Sequence, residues 1–404
     1  MLPSPLSAVV ARRRCEAARA CVPAGAGALA LACLTVAAVV SAAGSLPSQA
    51  ATSAAPAASP RDARSVPRYA HILVIVAENK GYELIIGAHT AAPNIKRLAQ
   101  QYGLASQFFA EVHPSEGNYI AMLAGDTLGV HDDDAYYCRP GMQDKWCARS
   151  RQADYVDHTF TTRSLMDQLQ AKGLTWKAYM ESLPAPGSLI VRWPTAEQPV
   201  AGTPTQLYAA KHNGFVNFRD VQQDPARSAK IVDFNALYHD IATGQLPNYA
   251  HIVPNQCNDM HGRDKGADVP ADCRTSDLRA LIARGDRVIG DLVGRIMASQ
   301  VWSGAENAAI VITFDENDKD ERQGPDQGCC GNEAGSAANS GGGRIPTLVI
   351  TNHGPRGMID DTPYNHYSLL RTTEAAFGIS EYLGHAADEH NGVVVMAPLF
   401  AVTH

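Results

Sequence analysis

The sequence predicts an α/β protein: a mostly parallel central sheet with helices on both faces and loop insertions over the carboxyl ends of the strands. Three observations point there. Apolar or β-branched runs recur after residue 70, helical patterns lie between them, and several runs stop abruptly at carboxylate or amide side chains. A strand buried on both faces reads as an unbroken apolar run, and such strands alternating with helices argue a parallel sheet covered on either side.

The chain has 404 residues. Arg12, Arg13, Arg14 and Arg19 precede an Ala/Leu/Val run from about Ala26 to Ala43, and small residues follow at Ser48-Gln49-Ala50. That is the layout of a signal peptide over residues 1–50; the alternative is an uncleaved anchor, since the run nears the lower length limit of a membrane span. The expected product is secreted, with no stable span after cleavage. Residues 51–69, rich in Ala, Ser and Pro, read as a flexible linker, and 70–404 as the catalytic domain. Without the leader's four arginines and one glutamate, 30 basic residues face 40 acidic ones, a formal charge of −10. Such a surface does not suit nucleic acid or an anionic bilayer. Six cysteines remain after the leader. In an exported chain they suggest disulfides, most simply Cys138–Cys147 and Cys257–Cys273. For the adjacent Cys329 and Cys330 a vicinal bridge and pairings elsewhere are both open.

The first strand is "HILVIV" (71–76). "TWKAYM" (175–180), "YAHIVP" (249–254), "AAIVITF" (308–314) and "PTLVIT" (346–351) follow. The clearest helix spans 277–298, where Leu278, Leu281, Ile282, Val288, Ile289, Leu292, Val293, Ile296 and Met297 form one stripe at helical spacing. Segments 131–160 and 183–232 and the glycine-rich "CCGNEAGSAANSGGGR" lack periodicity, and read as insertions where binding loops lie.

In open α/β sheets ligands collect beyond the carboxyl ends of the strands. There "HILVIV" runs into Glu78 and Asn79, and "AAIVITF" into Asp315 and Glu316. In "HPSEGNYIAMLAG" (113–125), Pro114 stiffens the approach and Gly117 lets backbone come close. Ser115 then precedes a helix whose free N–H groups favour an anion such as phosphate. An ordinary helix cap is the plain alternative for this serine, and His113 reads as support for the turn. A serine hydroxyl needs a base or a metal to act as nucleophile. Five oxygen donors, Glu78, Asn79, Ser115, Asp315 and Glu316, would suit a hard divalent cation such as Mg²⁺, Ca²⁺ or Mn²⁺. Asp259, His261 and His366 form a second polar set, able to bind Zn²⁺ or iron, or to hold a substrate oxyanion and protonate a leaving group. No G-x-S-x-G elbow, C-x-P-x-R sequence or EF-hand spacing occurs. Those absences disfavour a lipase-type triad, a formylglycine sulfatase and an EF-hand.

Taken in order, "AENKGYELIIG", "HPSEGNYIAMLAG", "PNQCNDMHG", "VITFDEND" and "NHYSLLRTTEAAFG" resemble a family. It is the secreted phosphoesterase family of bacterial acid phosphatases and phospholipases C, within the alkaline phosphatase superfamily. Among its members the secreted acid phosphatases of mycobacterial type look closest. The resemblance implies an alkaline phosphatase-like fold, with Ser115 as nucleophile and Asn118 as donor to a phosphoryl oxygen. It also implies Glu78, Asn79, Asp315 and Glu316 as metal ligands, and Asp259, His261 and His366 as second-site or substrate-phosphate residues. Gly117 stands where the family usually has proline, and 131–160 and 183–232 are longer than in its smaller members. The expected activity is metal-assisted hydrolysis of a phosphate monoester through a phosphoserine, with a small-molecule ester or a phospholipid headgroup as substrate. The alternatives are a phospholipase C-like diesterase and an inactive binding protein on the same scaffold.

Overall fold

Apolar runs with no polar face pair on both edges because their backbone N–H and C=O groups have no water to turn to. The computed structural model describes residues 65–138, 155–264, 266, 268–318, 326–331 and 341–403. The signal peptide, residues 51–64 of the linker, and Cys147 lie outside them. The strands are β1 (His71–Ala77), β2 (Gly103–Phe109), β3 (Trp176–Met180), β4 (Arg192–Trp193), β5 (Tyr208–Ala209), β6 (Ile231–Val232), β7 (Tyr249–Val253), β8 (Ala308–Phe314), β9 (Arg344–Thr351), β10 (Met358–Asp360) and β11 (Tyr364–Asn365). Nine of them form one sheet in the order β10-β2-β9-β8-β1-β7-β3-β6, with β11 also on β2. The two-residue strands β4 and β5 make a separate antiparallel pair.

The sheet is mostly parallel, with β9 as the exception, antiparallel to both β2 and β8. Two reversals restore direction, so β1, β2, β7 and β8 all point their carboxyl ends at one edge. Register does the rest. β1 and β8 pair from His71↔Ala308 through Ala77↔Phe314, which brings Glu78 and Asp315 out side by side. Every residue of β8 is buried, as its unbroken apolar sequence requires.

The predicted long helix occurs as Leu278–Met297, capped by the Asp277 carboxylate, which accepts the Ala280 N–H. Its stripe buries Leu281, Ile282, Ile289, Leu292, Val293 and Ile296. It also buries Asp286, whose carboxylate accepts the Asn94 and Ile95 N–H groups at 3.1 and 2.8 Å, at the start of helix Pro93–Gln101. The predicted helix after Ser115 runs from Glu116 to Ala124, every residue buried. A Cβ at Gly117 would lie 2.6 Å from the Val130 carbonyl oxygen, so the close approach of that loop excludes any larger residue.

Cys257–Cys273 and the vicinal Cys329–Cys330 are both bridged, and Cys138 is disulfide-bonded. Among the described residues no helix is long and apolar enough to cross a membrane.

Candidate active site

Four strand ends and one loop build the site. Asn79, just past β1, holds a left-handed backbone (φ 54°), which Asn tolerates better than most residues. That turn aims its backbone N–H at Asp315 Oδ1 (2.9 Å) and its Nδ2 at Glu316 Oε1 (3.0 Å). Ser115 does not cap its helix. Its own backbone is already helical, its side chain makes no cap hydrogen bond, and its Oγ lies 3.2 Å from both Glu78 Oε2 and Glu316 Oε1. The five oxygen-donor residues expected from the sequence therefore converge.

A second ring of contacts was not legible in the sequence. The insertion 183–232 delivers Lys211 and His212 through a short 3-10 turn after β5. His212 Nε2 lies 3.1 Å from Glu78 Oε1, and its Nδ1 3.3 Å from Asp259 Oδ2. The Tyr119 ring stacks on it at 5.6 Å while the Tyr119 hydroxyl donates to Glu78 Oε1 at 2.9 Å. Potential ligand atoms of Glu78, His212 and His261 all lie within 4.8 Å of one another. Lys211 Nζ donates to Asp133 Oδ2 at 2.8 Å and sits 3.3 Å from His261 Nε2. Behind this, His158 is buried between Glu116 and Asp132, 3.0 and 3.1 Å away. Against its burial, those two carboxylates push its pKa up to about 10, so it is an imidazolium that pins the Asp133 loop.

The expected second set comes together only in part. The Asp259 carboxylate accepts the His261 N–H at 2.7 Å. His366 is placed elsewhere: Nδ1 meets Glu111 Oε2 at 2.5 Å, and Nε2 meets the Phe314 carbonyl at 2.9 Å. Both ring nitrogens thus hold the scaffold beside β8, and the described contacts join neither to Asp259 nor to His261. Asn118 is also engaged with the scaffold. Its Oδ1 accepts the N–H groups of Glu111 and Val112 at 3.0 and 3.2 Å, and its Nδ2 donates to Val112 O at 2.7 Å. These contacts shape the turn leading to Ser115. His113 does more than support that turn, because its Nδ1 pairs with Glu316 Oε2.

Burial pushes the carboxyls of Glu78, Asp259 and Asp315 up, and in Glu78 the charges of Asp315 and Asp259 add to it. Burial likewise raises Glu316, to about 7. Burial and the Lys211 charge hold His212 well below the usual histidine range and His261 at about 3. Both imidazoles are neutral, and the hydrogen bond from His261 Nδ1 to Gly262 O (2.8 Å) leaves its Nε2 as an acceptor, facing the Lys211 ammonium at 3.3 Å. Lys80, buried beside this cluster, donates to Asn79 O at 2.9 Å; burial lowers its pKa, opposed by Asp318, Asp259, Glu78 and Asp315.

Do these residues fit a cation? His212 Nε2, Asp259 Oδ2 and Asp315 Oδ2 are buried without a hydrogen-bond partner, although the first lies 3.1 Å from Glu78 Oε1 and the second 3.3 Å from His212 Nδ1. Acceptor atoms facing one another with too few protons between them are what a divalent cation satisfies. The donor set fits. Its Asn79, Ser115, Asp315 and Glu316 side is all oxygen, and its Glu78, His212 and His261 side contains nitrogen.

The model of the phosphoesterase family matches residues 88–380, a stretch that begins just after Glu78 and Asn79. The chain is 28% identical over 317 residues to the phosphatidylinositol-3-phosphatase of Mycobacterium tuberculosis, covering 78% of this chain and 80% of that protein. It is 26% identical over 288 residues to the phosphate-repressible acid phosphatase of Penicillium chrysogenum, covering 71% of this chain and 54% of that one. The chain thus spans most of the bacterial relative and about half of the fungal one. A solved structure of a Vibrio parahaemolyticus protein in the alkaline phosphatase superfamily is similar at a TM-score of 0.45 and 12% identity, covering 78% of this chain and 68% of that one.

Proposed function

The chain belongs to the phosphoesterase family, and from that premise we propose that it is an exported phosphate-monoester hydrolase with Ser115 as its nucleophile. One observation carries the reading. The Ser115 side chain makes no cap hydrogen bond and points its hydroxyl at two buried carboxylates, 3.2 Å from each. A serine serving only as a cap would accept a backbone N–H instead.

Ser115 Oγ attacks phosphorus as its proton passes to Glu316 Oε1 or Glu78 Oε2, the oxygens within reach. The Oγ–P bond forms, the bond from phosphorus to the alcohol oxygen breaks, and that oxygen takes up a proton. Water then attacks the phosphoserine: its O–P bond forms as the Oγ–P bond breaks, one of its protons passes to Ser115 Oγ, and hydrogen phosphate leaves. Lys211 Nζ, beside His261, offers a charged hydrogen bond to the departing oxygen. Ser115 directly precedes helix Glu116–Ala124, and the positive end of that helix would favour negative charge developing on the transferring group. Glu78, Asn79, Asp315, Glu316, His212 and His261 would hold a divalent cation of the Mg, Ca, Mn or Zn kind. When bound, it supplies Lewis-acid stabilisation of the phosphoryl charge and lowers the serine pKa. The leader at residues 1–50 supports export.

The test is Ser115→Ala, assayed on p-nitrophenyl phosphate with the unfolding midpoint measured in parallel. Turnover should fall by about 1,000-fold or more with the midpoint unchanged. A folded variant with near wild-type turnover removes Ser115 from the reaction.

A further inference from the structure

One carboxylate occupies two of the donors that the hydrolysis proposed above offers to the phosphate ester. Asp133 Oδ1 accepts the N–H of Glu116, the first residue of the helix that follows Ser115, at 3.2 Å. Asp133 Oδ2 accepts Lys211 Nζ at 2.8 Å. An acceptor oxygen on each donor is the arrangement that two oxygens of a bound phosphate would make there, because helix starts and ammonium groups hold phosphate and carboxylate by the same charged hydrogen bonds. We propose that Asp133 is an autoinhibitory internal anion, seated where phosphate oxygens go, so that substrate binds by displacing it; this rests on Ser115 as the hydrolytic centre.

The surroundings divide into a fixed frame and one movable group. Glu116 Oε2 accepts the Ala135 N–H at 3.2 Å, and its Oε1 accepts Asn217 Nδ2 at 2.8 Å. Asp132 Oδ1 accepts the Asp134 N–H at 3.1 Å, and buried His158 lies between Glu116 and Asp132. The backbone is thus anchored on both sides of residue 133. Its carboxylate is different: the Asp133 side chain is 27% exposed, against 1% for Glu116 and 6% for Asp132. It lines a cleft of about 210 Å³ together with Lys211, His261 and Arg192. Rotation of one side chain therefore moves the carboxylate off both donors while the loop stays in place, into a space whose wall carries a guanidinium.

An aspartate near a helix start stabilises the helix by itself. That role alone requires neither Lys211 on the second oxygen nor an opening onto the cleft. While Asp133 is seated, the Lys211 charge is balanced and the Glu116 N–H is taken. The state competent to bind phosphate is the one with the carboxylate displaced, and the apparent affinity is reduced by the fraction of molecules in that state. Removing the carboxylate removes the competition.

The experiment compares the full chain with its Asp133→Ala variant by titration calorimetry with inorganic phosphate and by kcat and KM on p-nitrophenyl phosphate, with the unfolding midpoint as the check on folding. In the variant the Kd for inorganic phosphate and the KM should both fall by about 10-fold, the scale of one charged hydrogen bond no longer contested. Most substitutions beside a centre weaken binding, so the sign is diagnostic. A Kd for phosphate that is unchanged or higher in the folded variant overturns the proposal, because Asp133 would then hold Lys211 in place for phosphate rather than withhold it. If Asp133→Ala does not fold, Asp133→Asn keeps an acceptor for the Glu116 N–H but sheds the charge facing Lys211, and the same Kd is read with the same sign. Failure of the parent reading looks different: a folded wild type would then be inert on p-nitrophenyl phosphate, whereas this proposal fails in an active enzyme.

Discussion

Glu78 is the residue on which the two halves of the site meet. Its Oε2 faces the Ser115 hydroxyl, and its Oε1 faces both Tyr119 and His212. The sequence pointed to Glu78 because an apolar strand ends in it. It gave no such pointer to His212, which lies in an insertion without periodicity, or to Lys211 beside it. A lone histidine in a loop is chemically unremarked until the fold sets a partner opposite. The proposed role of His212 as a nitrogen ligand makes a sharp prediction. His212→Ala should weaken metal binding on the order of 100-fold, read as metal per protein by elemental analysis after dialysis. Full occupancy in the variant would assign His212 to packing under Tyr119. Met260, between Asp259 and His261, has φ 79°, a conformation costly for a residue with a side chain. It is held there by burial: Gly285, in helix Leu278–Met297, leaves the space its Cγ fills.

Among the elements, strands buried on both faces and long amphipathic helices were legible because their burial writes itself into the sequence with a period. β2, "GLASQFF", was not. It is buried at six of seven positions, but its small and polar residues mimic a loop, and a register shift between Ala105 and Phe108 interrupts its pairing with β9. Helix His366–Ala376 opens on a residue the resemblance assigns to the second polar set; its described contacts brace β8 and Glu111 instead. Its Glu374 offers a test of packing at this level. Burial pushes this carboxyl up to about 8, against hydrogen bonds from Gln168 and the Leu383 N–H. A folded-state pKa above the unfolded value means the native protein holds the extra proton, so stability falls as pH rises from 4.5 to 8. Glu374→Gln should therefore raise the unfolding midpoint above that window and change it little below. An equal shift at both ends would mean that packing, not charge, sets the effect.

Across the whole molecule, four buried carboxylates, Glu78, Asp259, Asp315 and Glu316, crowd one edge of the sheet. Without a cation they must take up protons to remain buried, so the apo protein loses stability as pH rises through their raised range, which for Glu316 ends at about 7. With the cation bound they stay ionised at no such cost. Chelation should therefore lower the unfolding midpoint, and by more at pH 8 than at pH 5. A cation at a hundredfold excess over its Kd contributes about 2.7 kcal/mol; identical midpoints with and without chelator at pH 8 would remove the metal from the site. The sequence by itself determined the sheet-and-helix class and the oxygen donors that follow β1 and β8, because apolar period and strand termination are local properties. Only the tertiary structure decided which way β9 runs, that His366 turns to the scaffold, and that Lys211 and His212 reach Glu78. Those outcomes depend on pairing between segments distant in the chain, such as His366 with Phe314, 52 residues away, and with Glu111, 255 away, and no local pattern records the partner.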